Sequence, residues 1–160
     1  MIEFGLTKDR TNTQYAPLAA LCRYYQQNRI LDPLSEVRIA VKTRQFSPYD
    51  KMIQVLLSLL TGCETLSQVN PRLGSEVHLA RIWQWEQFAD QATLSRTLDA
   101  LTLKQIDELR QVSGQIWRSH TQTHHHNWHG YLWLDFDLSG LPCGKQAQES
   151  QKGYFSGKKT

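Results

Sequence analysis

Tyr131-Leu-Trp-Leu-Asp-Phe-Asp-Leu-Ser-Gly-Leu-Pro-Cys-Gly-Lys-Gln146 is an apolar run that carries two carboxylates and then enters a turn. Alternation along an extended chain puts Leu132, Leu134, Phe136 and Leu138 on one side, and Tyr131, Trp133, Asp135 and Asp137 on the other. Apolar residues on both faces suit a central strand covered from two sides. A carboxylate in such a place is costly unless it is paired, hydrogen-bonded or bound to a cation. Two readings stand. One is a metal-binding acid, since magnesium typically takes one or two protein carboxylates at a phosphate-chemistry site. The other is a structural or solvent-facing acid near a strand end.

Working outward, the 160 residues suffice for one ordinary domain with its own core, in a composition typical of soluble globular proteins. The longest apolar run, Val55 to Leu60, falls far short of a membrane span. The first residues carry Glu3, Lys8, Asp9 and Arg10 rather than an export signal, so the expectation is a cytoplasmic protein with no membrane partner. Cys22, Cys63 and Cys143 are odd in number, widely spaced and outside any metal-ligand pattern, which fits free thiols. The formal charge is +3, and from Ser139 onward Lys145, Lys152, Lys158 and Lys159 stand against Glu149 alone. That basic end suits either a nucleic-acid backbone or a solvated tail.

The chain before this stretch reads as helical. Leu18, Leu21, Cys22 and Tyr25 recur at helical spacing, predicting a helix over Tyr15–Gln27 with Pro17 in its first turn. Asp32-Pro33 marks a turn, and Ser35–Lys42 carries a helical reading. Ser47-Pro-Tyr-Asp50 opens a further helix, with Met52, Val55, Leu56, Leu59 and Leu60 as its inward stripe and Gly62 as its end. A short helix over Thr65–Val69 is stopped by Asn70-Pro71, and Leu79–Phe88 is helical, with Trp83 and Trp85 unable to share one seam. Asp90 caps a helix from Gln91 to Leu101, in which Leu94, Leu98 and Leu101 face inward. Gln91, Thr93, Ser95 and Arg96 face out and suit either a helix-turn-helix reader of DNA or a solvated surface. Thr102-Leu-Lys-Gln105 forms a capping box for a last helix through Ile106, Leu109, Val112 and Ile116 towards Trp117.

His120, His124, His125, His126 and His129 invite a zinc reading, because the first two would share one face of a continuing helix. With no adjacent Cys, and with Asn127 and Gly130 among them, they also fit an exposed loop or a DNA-backbone contact.

The segment Leu134-Asp-Phe-Asp-Leu-Ser-Gly-Leu-Pro-Cys-Gly-Lys-Gln146, followed by Lys152-Gly-Tyr-Phe-Ser-Gly-Lys-Lys159, resembles the first catalytic strand and following hairpin of DDE-type insertion-sequence transposases. Leu60-Thr-Gly-Cys-Glu-Thr-Leu66 and Phe88-Ala-Asp-Gln-Ala-Thr-Leu-Ser-Arg-Thr-Leu-Asp-Ala-Leu101 resemble the helical region that precedes that strand. Residues 50–160 carry the likeness. It implies a mainly α chain: a helical, DNA-binding region over 1–128, then the first β-strand and hairpin of a truncated ribonuclease-H-like α/β domain over 129–160. The Asp-x-Ser match implies that Asp137 is the first catalytic acid and a ligand for Mg2+ or Mn2+, with Asp135 second in line on the same face. Gln91, Thr93, Ser95, Arg96, Lys145, Lys158 and Lys159 are the expected contacts to double-stranded DNA at transposon ends. A DDE enzyme needs a second Asp and a Glu on later elements, so this stretch by itself is expected to cut nothing. A non-catalytic DNA-binding or regulatory form, which would suit a homo-oligomer, is the rival expectation.

Overall fold

The computed structural model describes residues 13–122 together with His125, Asn127, His129 and Gly130. Backbone contacts divide the chain into two units, Met1–Thr123 and His124–Thr160. The first is mainly helical, with α1 Ala16–Gln27, α2 Pro48–Leu60, α3 Val69–Leu73, α4 Val77–Ile82, α5 Gln91–Asp99 and α6 Leu103–His120. Short 3-10 turns at Asp32–Glu36 and Leu66–Gln68 join them, and no strand occurs among the described residues. The expected strand and hairpin from Tyr131 onward lie outside the described residues, as do Asp135, Asp137, Lys145, Lys158 and Lys159.

Each helix delivers at least one apolar side chain to a shared core: Cys22, Ile53, Leu57, Leu73, Leu79, Leu94 and Val112 are all buried. α1 packs on α4, α2 on α5, and α6 on the Asp32–Glu36 turn. Full burial of one such leucine contributes about 1.5–3 kcal/mol, so this core carries the unit. Cys22 and Cys63 are free, buried thiols, and burial pushes the Cys22 thiol up to about 11.

Side-chain caps set the starts of α2, α5 and α6. Ser47 accepts from the Asp50 backbone N–H while the Asp50 carboxylate accepts from the Ser47 N–H, and Pro48 fills a first-turn site where no N–H is needed. α2 closes at Gly62, whose φ of +78° suits a residue without Cβ. Arg72 then donates to the Thr61 carbonyl at 2.8 Å, satisfying one end group of that helix. Thr102 and Gln105 form the capping box at the start of α6.

Several expectations fail for identifiable reasons. Ser35–Lys42 is not a helix. The 3-10 turn ends at Glu36, Val37 is extended, and the chain runs on without helix through a tight turn in which the Val41 N–H donates to the Ile39 carbonyl, burying Val37 and Ile39 and half-burying Val41 while Arg38, Ala40 and Lys42 face outward. Three β-branched residues at period two favour that form over a helix. Asn70-Pro71 does not stop a helix but sits in the first turn of α3, where proline's missing N–H costs nothing. The helix expected over Leu79–Phe88 ends at Ile82. Gln84 takes a φ of +63°, and the reversal lays Trp83 and Trp85 together as a stacked pair at 5.8 Å. Two indoles that no single helix seam can accommodate share one surface because the helix breaks between them.

The stripe assigned to α2 is also rotated. Leu59 and Leu60 are exposed, whereas Lys51, Ile53, Gln54, Leu57 and Ser58 are buried. Met52, Val55 and Leu56 are half-buried. With apolar residues almost all round this helix, periodicity alone cannot choose the inward face, and tertiary hydrogen bonds choose it instead.

Candidate nucleic-acid interface

Lys51, Gln54 and Ser58 on α2 and Thr61 at its C-cap recur at spacings of three, four and three, a polar stripe that is buried rather than solvated. Buried polar groups persist where they find partners. Lys51 Nζ donates to the Lys42 carbonyl at 2.9 Å, gripping the non-helical segment that precedes α2. One turn on, Gln54 Oε1 accepts from the Ala89 backbone N–H at 2.6 Å, gripping the loop that precedes α5. Asp50 on the same helix accepts from Trp85 Nε1 at 3.1 Å, and Phe46 meets that indole edge-on. Three side chains of α2 thus fix two otherwise irregular stretches of chain.

Between these stretches lies an open cleft of about 1020 Å³, lined by Lys42, Arg44, Phe46 and Lys51 on one part and by Phe88, Ala89, Asp90, Thr93, Arg96 and Thr97 on another. Four cationic side chains meet it against one carboxylate among its lining residues, that of Asp90. Asp90 is committed elsewhere: its Oδ1 accepts from the Thr93 N–H at 2.6 Å as the cap of α5. That backbone hydrogen bond, with the Thr93 side chain next in effect, holds its carboxyl below the usual range. The cleft therefore presents net positive charge on a surface of mixed polar and apolar residues, Phe46 and Phe88 among the latter.

The four residues expected to read DNA from α5 divide into two pairs. Thr93 and Arg96 line the cleft, and Arg96 is exposed with its Nη2 donating to Thr93 Oγ1 at 3.2 Å. Gln91 and Ser95 do not line it. The Gln91 backbone N–H donates to Asn70 Oδ1, and Ser95 donates to Asp99 at 3.3 Å. The inward face of α5 holds Leu94 and Thr97, with Leu98 half-buried and the helix ending at Asp99 rather than Leu101.

No family model, curated protein or solved structure matches this chain. The assignment of chemistry thus rests on the side chains themselves. Sequence reading missed Lys42, Arg44 and Lys51, although the polar stripe from Lys51 to Thr61 was the available signal for a helix that grips other segments. Asp137 and the divalent ion expected there fall outside the described residues. Among those described, no three His, Cys, Asp or Glu side chains converge as a metal site. His120 is the last residue of α6 and Thr121 is extended, so the helical face that would have joined His120 to a residue four further on is interrupted. His125 and His129 are exposed. No helix among the described residues is long and apolar enough to cross a membrane.

Proposed function

We propose that the helical unit is the DNA-binding region of a DDE-type transposase, holding double-stranded DNA at the transposon ends by its phosphate backbone. The observation that carries this reading is the meeting of Lys42, Arg44, Lys51 and Arg96 on one open cleft whose sole lining carboxylate is occupied in capping a helix. Clustered lysine and arginine attract phosphates by charge and gain affinity from counterion release. Arg96 and Thr93 project from α5, where side chains of these types reach phosphates and base edges. Catalysis belongs to the proposal through the resemblance alone: Asp137 would hold Mg2+ or Mn2+ together with acids supplied beyond this stretch, and this stretch alone would bind ends without cutting them.

Fluorescence anisotropy with short duplexes over a salt series tests the reading. Affinity should fall linearly on a log–log plot, and Arg96→Ala should weaken binding and reduce the slope by about one unit for each phosphate that the guanidinium neutralises in the parent. A salt-independent affinity, or an Arg96→Ala protein that binds like the parent, rejects it. Nicking of DNA in magnesium by the 160-residue chain, abolished by Asp137→Asn, would overturn the expectation that the stretch is catalytically incomplete.

A further inference from the structure

Among the described residues Lys51 is the only lysine or arginine that the fold buries, at 5% exposure. No carboxylate pairs with it there, the single ion pair among the described residues being Lys104 with Glu108 on α6. An ammonium carries three donors, and the one bond found goes to the Lys42 carbonyl. A buried cation without a counter-charge is costly, and the usual remedy is an anion that accepts its remaining hydrogens. One turn along the same helix, Gln54 is fully buried. Its oxygen holds Ala89, while its Nε2 has no acceptor. Two polar side chains therefore anchor the segments that line the cleft and keep donor capacity in reserve. Lys42, Arg44 and Arg96 add positive charge around the same opening, and the facing carboxylate, Asp90, is engaged by the Thr93 N–H.

We propose that the floor of this cleft is a seat for a phosphoryl oxyanion, with Lys51 Nζ as its central donor and Lys42, Arg44 and Arg96 supplying the surrounding charge. The source of the anion rests on the DNA-binding reading: in that complex it is one backbone phosphodiester, and orthophosphate presents the same oxygens when DNA is absent. The seat makes Lys51 more than a structural grip. Its hydrogen bond to Lys42 sets the path of the basic segment, and its remaining hydrogens meet the ligand which that segment attracts.

The test titrates the full 160-residue chain with inorganic phosphate, following backbone amide signals by NMR, and separately with a short random-sequence duplex. Phosphate should shift the Lys42, Lys51 and Ala89 amides, raise Tm, and compete with duplex at constant ionic strength. Lys51→Met, which keeps the aliphatic stem, should weaken phosphate about tenfold or more, as expected for loss of a charged donor. Lys51→Arg should retain most of the binding. The double change Lys42→Ala with Arg44→Ala touches exposed side chains only, so it should weaken phosphate without lowering Tm and tests the seat even if Lys51→Met fails to fold. Absence of any phosphate-dependent shift at millimolar concentrations, or parental affinity in the double variant, overturns the proposal. Phosphate binding without duplex binding would leave the seat standing and remove the DNA reading. Salt-dependent duplex binding with neither phosphate competition nor sensitivity to Lys51→Met would do the reverse.

Discussion

α2 and α6 are both long, capped, amphipathic helices of one unit, yet they are held in opposite ways. α2 buries Lys51, Gln54 and Ser58 beside Ile53 and Leu57, and turns Leu59 and Leu60 to solvent. α6 is five residues longer, but Val112 is its one buried residue, and Ile106 and Trp117 are half exposed. Its order comes from the Thr102–Gln105 box, a Lys104–Glu108 pair one turn apart and the partial burial of Leu109 and Ile116. The first helix is thus a tertiary hub whose polar side chains position other segments. The second leans on the Asp32–Glu36 turn and, through Gln105 Nε2, on the Arg38 carbonyl, while its own Lys104–Glu108 pair contributes only a few tenths of a kcal/mol.

The contrast can be broken most forcefully at Leu57. Leu57→Ala removes a fully buried side chain from the hub and should cost about 2–5 kcal/mol in urea unfolding; a loss below about 1 kcal/mol would mean that α2 is no more central than α6. Asp50→Ala comes next. That carboxylate accepts from the Ser47 N–H and hydroxyl and from Trp85 Nε1, so about 2 kcal/mol should be lost, with a change in tryptophan emission. Thr102→Ala should cost about 1 kcal/mol and reduce helical circular dichroism without altering the tryptophan signal of Trp85, since neither Thr102 nor Gln105 is bonded to that indole.

Acidity sharpens the comparison at a third helix. Asp90 has its carboxyl held low in the folded chain by the Thr93 N–H, so its cap is fully present above the usual unfolded value of about 3.9 and is lost as pH falls through the lower folded value. Asp90→Ala should therefore lower stability at neutral pH and flatten the acid limb of the stability curve; an unchanged limb rejects the assignment. Leu59→Ser gives the smallest effect. Leu59 is 64% exposed, and stability should move by no more than about 0.5 kcal/mol, although Leu57 lies two residues away.

Capping chemistry made much of this architecture readable. Ser47-Pro48 with Asp50, Asp90 ahead of Gln91, and Thr102 with Gln105 each announce a helix start through side-chain oxygens matched to backbone donors, and all three starts lie where those residues place them. Helix ends and faces were less legible. The break after Ile82 depends on a left-handed Gln84, a conformation no local rule assigns to glutamine, and the inward face of α2 depends on partners more than thirty residues away. At the candidate interface, Thr93 and Arg96 were visible as an outward face, while Lys42 and Arg44 were hidden, the first of them in a segment read as helical. Lys51 was hidden by the general rule that lysines face water.

The basic segment also has a consequence for handling the protein. Lys42 and Arg44 lie on an exposed run between two buried anchors, Ile39 and Phe46, and exposed runs of this kind are where proteases cut first. A trypsin nick after Arg44 would leave each new terminus within a few residues of a side chain sunk in the core. The two pieces should stay associated and migrate together until denatured, so an intact native profile is no guarantee of an intact chain.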